Sequence, residues 1–455
     1  MKEEETTVDV QDNQCTLSFA SVSGKQVEAV FDGGALTSDM GVMLLREVGL
    51  QTGILSRIVA ALTDRRHPSY VDHTMADLIR QRVFQIACAY EDANDCDLLR
   101  EDPAFKMACD RLPASDANLA SQPTMSRLEN GIRRRDLVRI GEAFVDEFIA
   151  SYDVPPKAVV LDFDDTNDEV HGNQQLSLFN GYHDQRCYCP LHIYEGQTGK
   201  LITTLLRPGA RPSGKQIVSI LKRLVKALRK AWPHVAVFVR GDAHFSCPEV
   251  HDFCDEHDVY FVLGQTGNDR LEQQAHPLME QAKAEYRETG QAVQRFTSFD
   301  YQAHTWASPR RIIYKAEITA SGQANARFVV TNLESSQPSF IYKDVYCARG
   351  RMENFIKNHK TFLHSDRTSC HSFEANHFRL FLHSVAYVLM HALATIGLRG
   401  TKWVNAQFNT LQNRILKVAA RVCELKTKIK FHLPTAFPLQ HLYGKILYNL
   451  STGVP

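Results

Sequence analysis

The stretch DVYCARGRMENFIKNHK, residues 344–360, carries a tyrosine, an arginine, a glutamate and a lysine at 346, 349, 353 and 360. A helix turns about 100° per residue, so these four fall within an arc of about 60°. Met352, Phe355, Ile356 and Leu363 lie to one side of that arc and are candidates to anchor the helix on a core. One edge then presents a carboxylate flanked by two cations and a phenol. Alone, such an edge reads as a solvated face with an Arg349–Glu353 pair at i,i+4. Two other places give it a different meaning. Asp162 and Asp164 alternate onto the same side of an apolar run, KAVVLDFDDT (157–166), and Asp242 closes VAVFVRGD (235–242). A carboxylate at the end of a buried strand is costly unless it is wet, paired or holding a metal. Open α/β sheets gather ligands at such strand ends. Two strand-end aspartates and a helix glutamate therefore make a carboxylate cage suited to hard divalent cations. Paired cations in such a cage promote attack on phosphodiesters, and basic side chains beside it suit phosphates.

The spacing Y-x2-R-x3-E-x6-K, met by Tyr346, Arg349, Glu353 and Lys360, resembles the signature of DDE transposases of bacterial insertion sequences, a family with a ribonuclease-H-like core. D-x-T at Asp164–Thr166 is similar to that family's first acidic motif, and RGDAHF (240–245) to its second. Asp162 and Asp165 are neighbouring candidates for the first acid; Thr166, two positions after Asp164, favours Asp164. The long interval from Asp242 to Glu353 fits members whose core is interrupted by a β insertion. LTSDMGVMLLRE, YEDANDCDLLREDPAF (90–105), SQPTMSRLEN (121–130), NGYHDQRCYCPLHIY (180–194) and RPGARPSG (207–214) resemble one branch, the insertion-sequence group numbered thirteen-eighty.

That resemblance implies catalytic and metal-holding roles for Asp164, Asp242 and Glu353, with two Mg2+ ions and Mn2+ as a substitute. It implies that Tyr346, Arg349 and Lys360 grip the DNA end. It further implies binding of terminal inverted repeats and target DNA, metal-dependent cleavage that frees a 3′ hydroxyl, and strand transfer. Assembly as a homodimer on paired ends and a cytoplasmic, nucleoid-associated place in a bacterium follow in the same way. Two rival readings stay open: a metal-dependent nuclease of this fold without strand transfer, and a non-catalytic DNA-binding protein with an inactive core.

The elements that must position these residues are legible in part. Residues 1–12 read as a disordered tail and 13–150 as a helical DNA-binding region. Within it, LTSDMGVMLLREV (36–48) begins with a Thr37/Ser38 cap candidate, and MADLIRQRVFQIACAY (75–90) is amphipathic. In SQPTMSRLENGIRRRDLVR, Pro123 starts a short helix that turns Thr124, Ser126 and Arg127 outward, as a DNA-reading helix does. Arg133, Arg134 and Arg135 follow as phosphate contacts. From 151 to 265 the period changes to strand–strand–strand–helix–strand–helix–strand, an α/β layer with a mixed sheet. A β-rich insertion is expected over 266–340. The core resumes over 341–400 with the glutamate helix, and 401–455 reads as a C-terminal helical region.

Composition sets outer bounds. The 455 residues hold 52 Lys+Arg against 52 Asp+Glu, so any nucleic acid must be met by local patches. The acidic N-terminus, MKEEETTVDV, lacks the apolar run of a signal peptide. Eleven cysteines in such a chain read as reduced thiols. Phe378–Leu398 has the length of a membrane span, but Arg379, His383 and His391 interrupt it and favour a buried helix. Cys187, Cys189 and His192, or His251, Cys254 and His257, lack the C-x2-C pairing of a common zinc site.

Overall fold

The computed structural model describes residues 16–452; the tail expected over 1–12 lies outside the described residues. The centre of the chain is one eight-stranded mixed sheet. Its first five strands are β1 (Ala158–Asp165), β2 (Leu191–Glu195), β3 (Leu201–Leu205), β4 (Ala236–Gly241) and β5 (Val259–Gln265). In space they run β3-β2-β1-β4-β5. Strand β2 is antiparallel to both neighbours, while β1, β4 and β5 are mutually parallel. This is the ribonuclease-H-like arrangement, and the order of elements in this sheet is the one the alternation in 151–265 predicts; three short strands that it does not predict, Asp168–Glu169, Leu178–Asn180 and Gln185–Tyr188, form a separate small sheet between β1 and β2 in the chain.

The physical causes are local. AVVLDFDD and AVFVRG are β-branched apolar runs buried on both faces, as parallel central strands require. The β2–β3 hairpin closes through Glu195, whose carboxylate accepts from the Gln197 and Thr198 amides at 3.1 and 2.7 Å. The turn ends at Gly199 with φ +75°, a left-handed conformation that favours glycine. Helix Gly214–Ala231 crosses from β3 to β4. Ser213 and Gln216 cap it reciprocally, and Ile217, Leu221, Leu224, Val225 and Leu228 face the sheet. Its lysines point outward.

The alternating segments beyond 290 form β6 (Val293–Tyr301), β7 (Arg310–Ile318) and β8 (Ala324–Thr331). They are an antiparallel meander, and β8 pairs with β5. The β-rich insertion thus prolongs the core sheet instead of forming a sheet of its own.

Helix Phe373–Ala392 runs through the core, and 78% of its most apolar window is buried inside the protein. The polar insertions that interrupt it each find a partner there. Arg379 reaches Glu129 at 3.4 Å, and His383 bonds the Leu363 carbonyl at 2.6 Å. Helix Met75–Ala87 packs on it and carries a Thr74/Asp77 capping box.

Three local expectations are corrected. Helix Val42–Thr52 starts from Gly41 with no side-chain cap. Leu36–Thr37 instead forms a strand, and the Thr37 hydroxyl bonds Asp102 at 3.1 Å. The segment expected to be helical near 430 holds a hairpin, Ala420–Leu425 with Lys428–His432, that pairs with Leu36–Thr37. Its basic residues mask a period-2 pattern in which Ala420 and Val422 are buried. A second hairpin, Leu17–Val22 with Lys25–Ala29, precedes the N-terminal helices.

Candidate active site

Strands β1 and β4 are parallel neighbours with Arg240 opposite Asp162. Two residues further on, the same register sets Asp242, just past the carboxyl end of β4, level with Asp164, the penultimate residue of β1. The pair is confirmed by a shared cation. Arg349 Nη2 stands 3.4 Å from Asp164 Oδ1 and 3.9 Å from Asp242 Oδ2. Burial pushes the Asp164 carboxyl up to about 7; Arg349 opposes the shift, and Asp242 and Asp165 reinforce it.

The flanking acids are already engaged. Asp162 is fully buried and meets Arg240 through two 2.6 Å bonds. Asp165 accepts from Arg207 at 2.8 Å and faces His244 Nδ1 at 3.4 Å. Of the three candidates for the first acid, Asp164 alone has no cation to itself. Asp242 accepts the His244 amide at 2.8 Å, and the His244 side chain is exposed.

The segment with the four signature residues is not one regular α-helix. After one turn at Pro338–Phe340 it widens into π-type turns at Ile341–Tyr346 and tightens into a 3-10 stretch at Cys347–Gly350. It is α-helical at Arg351–Lys357 and π-type again at Asn358–Phe362. Because these turns differ in residues per turn, the single arc expected from 100° steps is corrected. Each signature side chain finds its own neighbour. Tyr346 brings its hydroxyl close to Gly264, where an added Cβ would approach it to 2.8 Å and the Ala243 nitrogen to 2.9 Å; burial raises its pKa. Arg349 lies between the aspartates. Lys360 donates to the Asn167 carbonyl and stands 3.6 Å from Asp168. Asp168 is buried, and that burial pushes it up to about 7 against the pull of Lys360.

The anchors act as expected: Met352 and Leu363 are fully buried, and Phe355 and Ile356 pack on the same core. Phe355 lies so close to the β2–β3 turn that a Cβ on Gly199 would come within 2.6 Å of its ring. Glu353 is exposed and makes no hydrogen bond or ion pair among the described residues. There, no three His, Cys, Asp or Glu side chains come together as a metal cage. The structure thus brings Asp164 and Asp242 together around Arg349 and leaves Glu353 one turn beyond it. Two facing carboxylates, one of them held up by burial and by the other's charge, fit a hard divalent cation.

The DNA-reading candidates lie on other elements. Helix Gln122–Asn130 buries Met125, Leu128 and Glu129 and leaves Arg127 exposed beside Thr124, with Ser126 half-buried. Arg133, Arg134 and Arg135 are exposed over the buried Asp136, which is held by Arg65 at 2.8 Å and by Arg139. None of these contacts the acid pair. Sequence reasoning missed Arg240, Arg207 and Asp168 as parts of the site. For Arg240 a signal existed: it precedes Asp242 by two and so points to the same side of β4.

Residues 19–454 match the family model described as Transposase DDE domain, group 1. The chain belongs to this family. It is a DNA-cleaving, DNA-transposing enzyme, and DDE transposases work on DNA with divalent metal ions. Among solved structures, the cryo-EM structure of the piggyBac transposase synaptic complex with hairpin DNA is a distant likeness. It has 13% identity and a TM-score of 0.41, covering 92% of this chain and 86% of that chain. No curated protein matches the chain.

Proposed function

We propose that this DDE transposase is an insertion-sequence enzyme of group thirteen-eighty that binds the terminal inverted repeats of its element, cleaves at the ends and joins them to target DNA. The observation that carries the reading is the Asp164–Asp242 pair at the carboxyl ends of two adjacent parallel strands, bridged by an arginine from the signature segment. Asp164, Asp242 and Glu353 would hold two divalent ions, Mg2+ or Mn2+. Such ions, when bound, polarise a phosphate and make water a stronger nucleophile. Glu353, unpaired and one turn from Arg349, completes the donor set from the helix side.

The chain's own groups do the rest. Asp164 gives up its proton near pH 7 and becomes the anionic donor. Arg349 neutralises the two aspartates before DNA arrives and turns to the scissile phosphate once they have other counter-ions. Tyr346 stands beside the Asp242–Ala243 turn, where it borders the end of the duplex. Lys360 holds the loop after β1 in place and offers its charge to the DNA end. Thr124, Ser126 and Arg127 read the terminal repeat, and Arg133 and Arg134 bind its backbone. The freed 3′ hydroxyl attacks the opposite strand or the target phosphodiester. Two copies act together because two ends must be joined, and the setting is the bacterial cytoplasm at the nucleoid.

The experiment is a cleavage and strand-transfer assay on terminal-repeat DNA, with pre-nicked ends as a second substrate. Wild type yields nicked and joined products, and Asp242→Asn yields neither. Nicked product without joined product would make the enzyme a nuclease. Cleavage by Asp242→Asn at the wild-type rate would remove the carboxylate assignment.

A further inference from the structure

Three acids on three separate elements need something to fix their separation. Asp164 is the penultimate residue of β1, Asp242 follows β4, and Glu353 sits on a segment of irregular turns. Arg349 spans the gap from the front, but in the proposed reaction it leaves the aspartates for DNA, so it cannot also be the permanent brace. A second arginine spans the same elements from behind.

Arg240 lies on β4 two residues before Asp242, and its side chain is only 6% exposed. Nε and Nη2 each bond a different oxygen of Asp162 at 2.6 Å, two residues before Asp164 on β1. Its remaining nitrogen, Nη1, donates to the Val345 carbonyl at 2.8 Å. Val345 lies in the π-type stretch, one turn before Arg349 and two before Glu353. The β2–β3 turn closes over the same pair: a Cβ on Gly196 would stand 2.2 Å from Arg240 Nη2 and 2.4 Å from Asp162 Oδ2. The guanidinium is thus confined by strand, strand, turn and helix segment together. A planar guanidinium can bind a carboxylate with one edge and a carbonyl with its other nitrogen; an ammonium cannot span both.

We infer that Arg240 is a positioning residue that locks the glutamate-bearing segment to the two aspartate-bearing strands through Asp162 and the Val345 carbonyl. The inference rests on the proposed catalytic assignment of Asp164, Asp242 and Glu353. Arg240 touches neither the acids nor DNA; it acts through Val345 on the segment that carries Arg349 and Glu353. The irregular turns make that brace necessary, since a π-to-3-10 junction has no uniform hydrogen-bond ladder to fix where Glu353 points.

Two variants separate positioning from folding. Arg240→Lys keeps a charge for Asp162 and gives up the carbonyl. Arg240→Met with Asp162→Leu removes the pair without leaving a buried charge unpaired, so the sheet can stay stable. The expected result has three parts. Terminal-repeat DNA binds with unchanged affinity. Single-turnover cleavage falls by about 10- to 100-fold, as when a ligand's supporting partner is lost. In the metal-free protein, amides 343–353 exchange faster with solvent while the β1 and β4 amides do not. A folded Arg240→Lys protein with wild-type cleavage and wild-type exchange over 343–353 would overturn the inference. Exchange in the unaltered protein is a test that no misfolded variant can spoil. The 343–349 amides must open together with β4, and independent opening also overturns it. Asp164→Asn separates the two levels. If it cleaves normally, the catalytic assignment falls; if it is inactive while the Arg240 variants keep full rate, only the brace falls.

Discussion

Arg349 holds a guanidinium nitrogen 3.4 Å from an Asp164 oxygen, and it is the only cation paired with that carboxylate among the described residues. The same nitrogen is 3.9 Å from Asp242. One positive charge therefore serves two carboxylates; burial above all, with the Asp242 charge adding to it, pushes the Asp164 carboxyl up to about 7 against the pull of Arg349.

A divalent cation must displace that proton, so metal binding is linked to pH. Mn2+ titrations of the DNA-free protein should show affinity falling as pH drops below about 7, by up to about tenfold per unit for one displaced proton. Calorimetry in buffers of different ionisation enthalpy should report about one proton released at pH 6. Arg349→Gln removes the group that opposes the upward shift, so the acid-side loss of affinity should begin at higher pH. Affinity that stays flat from pH 5.5 to 8 (roughly the window around the Asp164 value) would contradict this.

Stability without metal follows a second balance. His192, His251, His359, His377 and His383 are buried and His391 partly so, and burial lowers each pKa; His192, His251 and His377 fall to about 3 and His391 to about 4. Their protons bind only the unfolded chain as pH falls below about 6.5, and so favour unfolding. Asp164 and Asp168, both raised to about 7, act the other way, since the folded form keeps protons that the unfolded form has lost. Six histidines outnumber the two aspartates, so the balance of protons lies on the unfolded side. Between about pH 5 and 6.5 stability should therefore fall on acidification. Denaturant midpoints measured across that range check the sign. A midpoint that rises with acidification would mean that the aspartates dominate.

Lys360 offers a test of architecture apart from chemistry. Its ammonium is 3.6 Å from Asp168, which is buried and has one oxygen without a partner. Lys360→Met leaves that buried carboxyl without a counter-charge, with only the Thr166 hydroxyl at 3.5 Å, and should cost about 3 kcal/mol. Adding Asp168→Asn should recover much of the loss, because a neutral amide needs no counter-charge. Thermal melts of the single and double variants decide. Equal melting points for Lys360→Met and wild type would show that the lysine has no structural duty and is free for DNA alone.

What could be read in the sequence divides along physical lines. Strands β1, β4 and β5 announce themselves because a doubly buried strand must be a continuous apolar run. The strand-end positions of Asp164 and Asp242 come with them. The Arg240–Asp162 pair does not, since partners 78 residues apart meet only through a register fixed by the whole sheet. The hairpin near 430 was hidden by lysines on its exposed face. The π and 3-10 turns around Tyr346 and Arg349 break a ruler that assumes 3.6 residues per turn, and no composition signals them. Lys360 accordingly faces the loop after β1 while Glu353 faces solvent, although spacing alone put both on one edge.

The arginine cluster at the start of helix Arg134–Ala150 gives the last prediction. Thr63, Arg65, Arg133, Arg134, Arg135, Val138 and Arg139 line a depression of about 740 Å3. Asp136 beneath it is already bonded to Arg65 and Arg139, and its pKa is lowered: burial raises it, but those arginine bonds and the Arg133 amide outweigh burial. Arg133, Arg134 and Arg135 make no ion pair among the described residues and are exposed. Unpaired guanidinium groups around a basin suit a phosphate backbone, which releases counter-ions on binding. Replacing all three by Gln should reduce the slope of log K against log salt by up to about 2.7, at about 0.9 per lost phosphate contact on duplex DNA. The loss should be the same on terminal-repeat and unrelated duplexes, because phosphate contacts carry no sequence choice. Folding should be unchanged, since Asp136 keeps its two arginines. Arg127→Ala should do the reverse: a small change in salt slope, and a loss of preference for the terminal repeat over unrelated DNA. A triple variant that keeps the wild-type slope would take the backbone contacts elsewhere, with the outward lysines of helix Gly214–Ala231 the next cations to neutralise.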